Sequence, residues 1–279
     1  GDVNGDGFAD VIVGAHEQPF NPNFPYGTGQ SYVVFGKANW DGTASLDLAA
    51  LDGTNGFRLA GDELFEGAGF SVSTAGDVNG DGFADLIVGA PFGEKSYVVF
   101  GKTTWAGTPS LDLATLDGTN GFRLTGIDLS DRSGYSVSSA GDVNGDGFAD
   151  VIVGAFRAES TGGPYGEGES YVVFGKASWA GTPSLDLATL DGTNGFRVIG
   201  IDEIDFSGRS VSSAGDVNGD GFADLIVGAL SAESAGAGEN WLKGKSVPDD
   251  LVSVATLATS SDDGVSGRIK KHFPDGPGG

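Results

Sequence analysis

The chain has 279 residues, a formal net charge of −24 and neither Cys nor Met, so disulfides and thiolate metal sites are excluded; what staples it is oxygen-ligated metal or packing. So acidic a chain repels phosphate backbones and suits cations, which removes nucleic acid as the default partner. No apolar run approaches the ~18 residues of a membrane-spanning helix, so no transmembrane segment is predicted.

The first ten residues, GDVNGDGFAD, return at Gly76, Gly141 and Gly215. A chain without Met that opens inside its own repeat is expected to be a segment of something longer. Behind each acidic turn comes VIVGA or LIVGA, β-branched and apolar on both faces, as a strand sandwiched between layers must be. A connection of variable length follows, then SYVVFGK from Ser31, Ser96 and Ser170, a second such strand. Next comes SLDLAALDGTNG or SLDLATLDGTNG, predicted as a helical turn and a Gly-ended loop, with a Trp (Trp40, Trp105, Trp179) ahead of it. GFRLAG, GFRLTG and GFRVIG read as the following strand. After a short crossover, SVSTAG or SVSSAG leads into the next acidic turn. From each SYVVFG serine to the next turn the distance is constant, so all length variation lies in one loop per repeat.

Four short strands per unit of about 70 residues match a propeller blade. The chain is therefore predicted to be all-β, a β-propeller segment of about four blades with the first and last incomplete. The blades are expected to fill 1–237, divided near 1–61, 62–126, 127–200 and 201–237. A solenoid of stacked strands is the competing architecture, although its repeats usually run half this length or less. From Glu239 the pattern fails, because GENWLKGK stands where SYVVFGK belongs. Residues 238–279 are expected to be a divergent, irregular tail.

The acidic turn, D-x-N-x-D-G-x-x-D, offers side-chain oxygens at positions one, three, five and nine and a backbone carbonyl at seven. Hard oxygen ligands at this spacing wrap Ca²⁺, and the Gly at position six permits the sharp bend. The predicted ligands are Asp2, Asn4, Asp6, the Phe8 carbonyl and Asp10 in the first copy, and Asp77, Asn79, Asp81, Phe83 and Asp85 in the second. The third supplies Asp142, Asn144, Asp146, Phe148 and Asp150, and the fourth Asp216, Asn218, Asp220, Phe222 and Asp224, for up to four Ca²⁺. A helix–loop–helix calcium hand is excluded, since its bidentate Glu at position twelve is replaced by Val13, Val88, Val153 and Val227. The competing reading is a solvated polar turn; four copies with every ligand intact weigh against it.

GFSVSTAGDVNGDGFADLIVGAP, followed by SYVVFG, resembles the FG-GAP repeat of integrin α-subunit β-propellers, and its wording is most similar to long bacterial surface proteins with such repeats. The resemblance covers roughly residues 1–235. It implies calcium in the hairpin turn, an extracellular or cell-surface location, and ligand contact on the face opposite that turn. Only Gly89-Ala90-Pro91 reproduces the GAP letters; His16, Phe156 and Leu230 stand in the place of Pro91.

In a four-stranded meander successive turns alternate between faces. The calcium turn shares one face with the 3–4 connection, and the variable 2–3 loop shares the other with the 4–1 crossover. Binding in repeat proteins gathers where loops vary, so Phe20, Phe24, Tyr26, Glu63, Arg132 and Tyr165 are the candidate ligand contacts, against the plainer reading that these loops only bridge strands. The repeated Trp is read as a packing anchor in preference to a sugar-stacking platform. His16 and His272 have no nucleophile motif beside them, so no catalytic site and no enzyme is predicted. The functional reading is a calcium-stabilised extracellular module for adhesion or ligand binding, its partner a protein or a glycan. The alternatives are an accessory propeller of a secreted hydrolase and a glycan-binding lectin-type propeller.

Overall fold

A computed structural model describes residues 1–16, 27–159, 166–232 and the strand 254–258. Strands β1 (Val11–Ala15), β2 (Gln30–Val34) and β3 (Gly56–Ala60) begin the first sheet. The second holds β4 (Ser71–Gly76), β5 (Asp85–Ala90), β6 (Lys95–Val99) and, after the short β7 (Ser110–Asp112), β8 (Gly121–Thr125). The third holds β9 (Ser136–Gly141), β10 (Asp150–Ala155), β11 (Glu169–Val173) and, after the short β12 (Ser184–Asp186), β13 (Gly195–Ile199). The last contains β14 (Ser207–Gly215), β15 (Asp224–Ala229) and β16 (Val254–Ala258).

Within the second and third sheets the four long strands pair antiparallel in the order of the chain. This is the four-stranded blade predicted from the repeat, and the chain is an all-β propeller segment. In the last sheet β16, within the stretch expected to diverge, lies parallel to β15 from Leu225↔Val254 to Ala229↔Ala258. The complete blades hold their antiparallel SYVVFG strand at that place. Among the described residues no helix is long and apolar enough to cross a membrane.

The 3–4 connection differs from its expected form. It opens with a short strand, SLD, that leaves its own blade and pairs parallel with the outer strand of the preceding one: β7 with β3, and β12 with β8. Only then comes the helical turn, a 3-10 turn over Leu113–Thr115 or Leu187–Thr189, capped by the Asp112 or Asp186 carboxylate. The same letters at 45–47 form no strand, and Asp47 caps the turn Leu48–Ala50 alone.

The repeated Trp locks this overlap. Trp105 lies flat on Phe57 of β3 at 3.7 Å between ring centroids, and Trp179 on Phe122 of β8 at 3.6 Å. A Lys covers the other face of each ring, Lys102 at 4.1 Å and Lys176 at 4.2 Å. Both Trp are buried, so the packing role is the one they take; Trp40 is 43% exposed. Burying rings of this size between blades is a large hydrophobic contribution. The blade cores are continuous with it: every residue of β5 and of β10 is buried.

Candidate metal-binding turns and the loop face

The four acidic turns share one hydrogen-bonded form. In the third, Asp142 Oδ1 accepts from the Gly145 and Asp146 amides at 2.7 and 3.1 Å, and its Oδ2 from Gly147 at 2.9 Å. Asn144 Oδ1 accepts from the Asp146 amide at 3.0 Å, and Asp146 Oδ1 from Phe148 at 2.9 Å. The backbone must bend left-handed at position six, where Gly147 has φ +90°. An L side chain rarely adopts that conformation.

Position nine acts differently from the rest. Asp150 is fully buried; its Oδ2 accepts from the Val143 amide at 2.8 Å and its Oδ1 from Gly175 at 2.9 Å. One carboxylate thus ties the start of the turn to the residue after VVF on the third strand. Asp85 repeats this with Val78 and Gly101, and Asp10 with Val3 and Gly36. Burial pushes the carboxyls of Asp85 and Asp150 up to about 7 against the pull of those amides, and the charges at positions one and five add to the rise.

Successive turns interlock. The Asp2, Asp77 and Asp142 carbonyls each accept at 2.9 Å from the Ala one residue before position nine in the next turn: Ala84, Ala149 and Ala223. A methyl group built on Gly80 or Gly145 would lie 2.5 Å from the ring of Phe148 or Phe222 of the next turn.

The donor chemistry fits Ca²⁺. Each turn gathers oxygen donors with no basic residue, and in the second and third the buried carboxylate is held among like charges that a cation would neutralise. Its side chains are turned toward backbone amides, and among the described residues no group of three or more His, Asp or Glu is drawn together as a metal cage. Filling the site asks Asn144 and Asp146 to exchange their mutual contact, 2.9 Å between Nδ2 and Oδ2, for the ion.

The 2–3 loops and 4–1 crossovers meet on the other face. The Phe92 amide donates to the Glu66 carbonyl, Arg157 to Asp131 and Ser231 to Asp205, all at 3.1 Å. Of the six candidate contacts, Phe20, Phe24, Tyr26 and Tyr165 lie outside the described residues. Glu63 and Arg132 are not brought together: Glu63 pairs with Lys95 at 2.8 Å, while Arg132 stacks over Phe92 with 4.9 Å from guanidinium carbon to ring centroid.

Two features here escaped the sequence reading. The first is a set of buried acids. Glu66 accepts from the Tyr97 hydroxyl and Glu169 from the Tyr171 hydroxyl, both at 2.7 Å, and burial raises both carboxyls. Asp131 is pushed up to about 7 by burial and by the charges of Glu94, Asp128 and Glu169. Glu66, Asp131 and Asp205 occupy one position of the crossover, and aligning the crossovers letter by letter would have found it. The second is a run of stacked aromatics, Phe70–Tyr135 at 4.7 Å, Tyr135–Phe156 at 4.5 Å and Phe156–Phe206 at 5.8 Å.

A family model described as FG-GAP repeat matches residues 1–34, 68–101, 133–173 and 207–239. The chain is 29% identical over 228 residues to integrin alpha-5 of Xenopus laevis, covering 80% of this chain and 20% of that protein. With integrin alpha-V of Gallus gallus the figures are 29% over 243 residues, 84% and 20%. With integrin alpha pat-2 of Caenorhabditis elegans they are 36% over 180 residues, 60% and 14%. The chain thus spans a fifth or less of the length of these relatives.

Proposed function

The chain belongs to the FG-GAP repeat family, and from that premise we propose that it is a calcium-stabilised, extracellular propeller module that binds a ligand in adhesion through the face of its 2–3 loops and 4–1 crossovers. The observation that carries the reading is the acidic turn, repeated four times with every oxygen donor present and, in the first three copies, with its last Asp tying turn to blade. Integrin α similarity over most of the chain supports the adhesive role. In each turn the Asp, Asn and Asp side chains, the Phe carbonyl and the last Asp would hold the ion. Bound calcium would supply charge neutralisation. Asp150 and its counterparts position the turn against the third strand, while the Gly at position six allows its bend.

Extracellular calcium modules bind at roughly 10⁻⁴–10⁻³ M, which suits the outside of a cell and not the cytosol. With a dissociation constant of ~0.1 mM and ~2 mM free calcium, one independent site adds about 1.8 kcal/mol and four add roughly 7. That is comparable to the whole ~5–15 kcal/mol stability of a typical domain. The test is thermal melting in calcium and in chelator, followed by binding of the calcium-loaded chain to an array of extracellular proteins and glycans. A large rise in Tm with calcium and a retained ligand are expected. Superimposable melting curves would remove calcium from the reading, and an array without a ligand would remove adhesion.

A further inference from the structure

A cavity of about 470 Å³ opens on the loop face where the second, third and fourth repeats meet. It falls within the roughly 300–1,000 Å³ range of small-ligand pockets. In a chain with 39 acidic and 15 basic side chains, three guanidiniums line it: Arg132 of a crossover, Arg157 of a 2–3 loop and Arg209 of β14. Each lies over an aromatic ring of the same wall. Arg132 covers Phe92 at 4.9 Å and Arg157 covers Phe156 at 5.4 Å, while Arg209 reaches Tyr135 at 5.2 Å and Phe156 at 5.1 Å. A guanidinium at this distance from a ring lies within cation–π range, and its planar fork of N–H donors matches a paired-oxygen acceptor. The charge of Arg132 also reaches the buried Glu94 and lowers that carboxyl against the larger rise that burial imposes.

The repeats themselves mark the site. Arg209 stands where the sister copies have Phe70 and Tyr135, Arg157 where they have Glu17, Phe92 and Ser231, and Arg132 where they have Gly67 and Phe206. Three different repeat positions each become Arg in one copy, and all three converge on one cavity. At the crossover the backbone is left-handed in every copy, φ 69° at Gly67, 65° at Arg132 and 54° at Phe206. Only the first copy uses the residue that this conformation favours. The other two bear its strain while placing a side chain on the cavity wall, a pattern that accompanies function.

We propose that this cavity binds a carboxylate-bearing sugar, the uronate unit of an acidic glycan. A pyranose ring with a carboxylate presents both features the wall selects: a flat C–H face for the apolar lining that no guanidinium covers, Phe206 and Leu230, and paired oxygens for the guanidiniums. The proposal rests on the reading of this face as the ligand face and names the class of ligand it takes.

The test titrates the full chain in calcium with an oligosaccharide alternating glucuronate and N-acetylglucosamine, then with its methyl ester. Variants carry the sister-copy residues, Arg209→Tyr, Arg157→Phe and Arg132→Gly, so that each substitution is one the repeat already accommodates. The acid form is expected to bind with an affinity that falls as salt rises. Esterification, Arg209→Tyr and Arg132→Gly should each weaken it about tenfold or more, the worth of a charge-assisted hydrogen bond. Arg132→Gly should lose binding while keeping or raising Tm, because it relieves the left-handed strain. Arg209→Tyr lies on another element and tests the site independently. Equal binding of acid and ester, variants within about twofold of the parent, or no binding at millimolar ligand would overturn the proposal. Tighter binding of a glutamate-rich peptide than of the glycan would overturn the sugar class. If the array retains some other ligand in calcium while glucuronate is not bound, the uronate assignment falls and the ligand face stands.

Discussion

Replacing Asp150 by Asn separates the two tasks that converge on that residue. The carboxylate is fully buried and each oxygen accepts one amide, Val143 at 2.8 Å and Gly175 at 2.9 Å. An Asn side chain has the same shape but only one accepting oxygen, so its NH₂ faces an N–H donor and one buried amide is left without an acceptor. That costs about 1–3 kcal/mol, less whatever is recovered by no longer burying a charge. Without calcium the loss should lie near ~1 kcal/mol, a fall in Tm of about 2–4 °C for a chain of this size. With calcium the variant also forfeits one site, about 1.8 kcal/mol more on the dissociation constant used above, or roughly 4–7 °C. The assay is differential scanning calorimetry of parent and variant at several calcium concentrations. Calcium should raise the Tm of the variant by roughly three quarters of the rise in the parent, as expected when one of four equal sites is lost. If calcium raises both equally, Asp150 is a structural clasp alone and the metal reading of position nine is wrong.

Trp105→Ala should cost about 3–5 kcal/mol in urea unfolding, since it empties a stacked inter-blade contact, whereas Trp40→Ala should cost under ~1 because its ring is 43% exposed; equal losses would refute the inter-blade role. In metal-free protein the Asp131 carboxyl sits above its ordinary value, at about 7, so the folded state binds its proton before the unfolded chain does. Stability from this group therefore rises as pH falls from about 7 towards about 4, and Asp131→Asn should flatten that gain in melting curves taken across the window. An unchanged pH profile in the variant would show that neither burial nor the charges of Glu94, Asp128 and Glu169 raise this carboxyl.

Local chemistry was legible because it needs only neighbours in the chain. The alternation of β-branched residues, the Gly at turn positions and the spacing of Asp, Asn and Asp set each strand and each acidic turn, and the four long strands of a blade follow from them. What letters cannot encode is which surface a repeat lands against. VIVGA occurs twice: Val11 in β1 is 58% exposed, while Val151 in β10 is fully buried. Among the described residues β10 has β9 beside it and packed blades on its faces, whereas β1 pairs with β2 alone because the sequence holds no SVSSAG segment ahead of the first turn. The SLD segment reads as the start of a helical turn because its partner strand belongs to the preceding blade, beyond any local window. Position nine reads as one ligand among several, and only folding brings Gly101 or Gly175 to its second oxygen. Arg132, Arg157 and Arg209 lie in three separate segments, and each alone is one departure from a repeat. They become a site because the stacking of blades, which depends on hydrophobic burial between distant stretches of chain, turns the same corner of successive repeats toward a shared cavity.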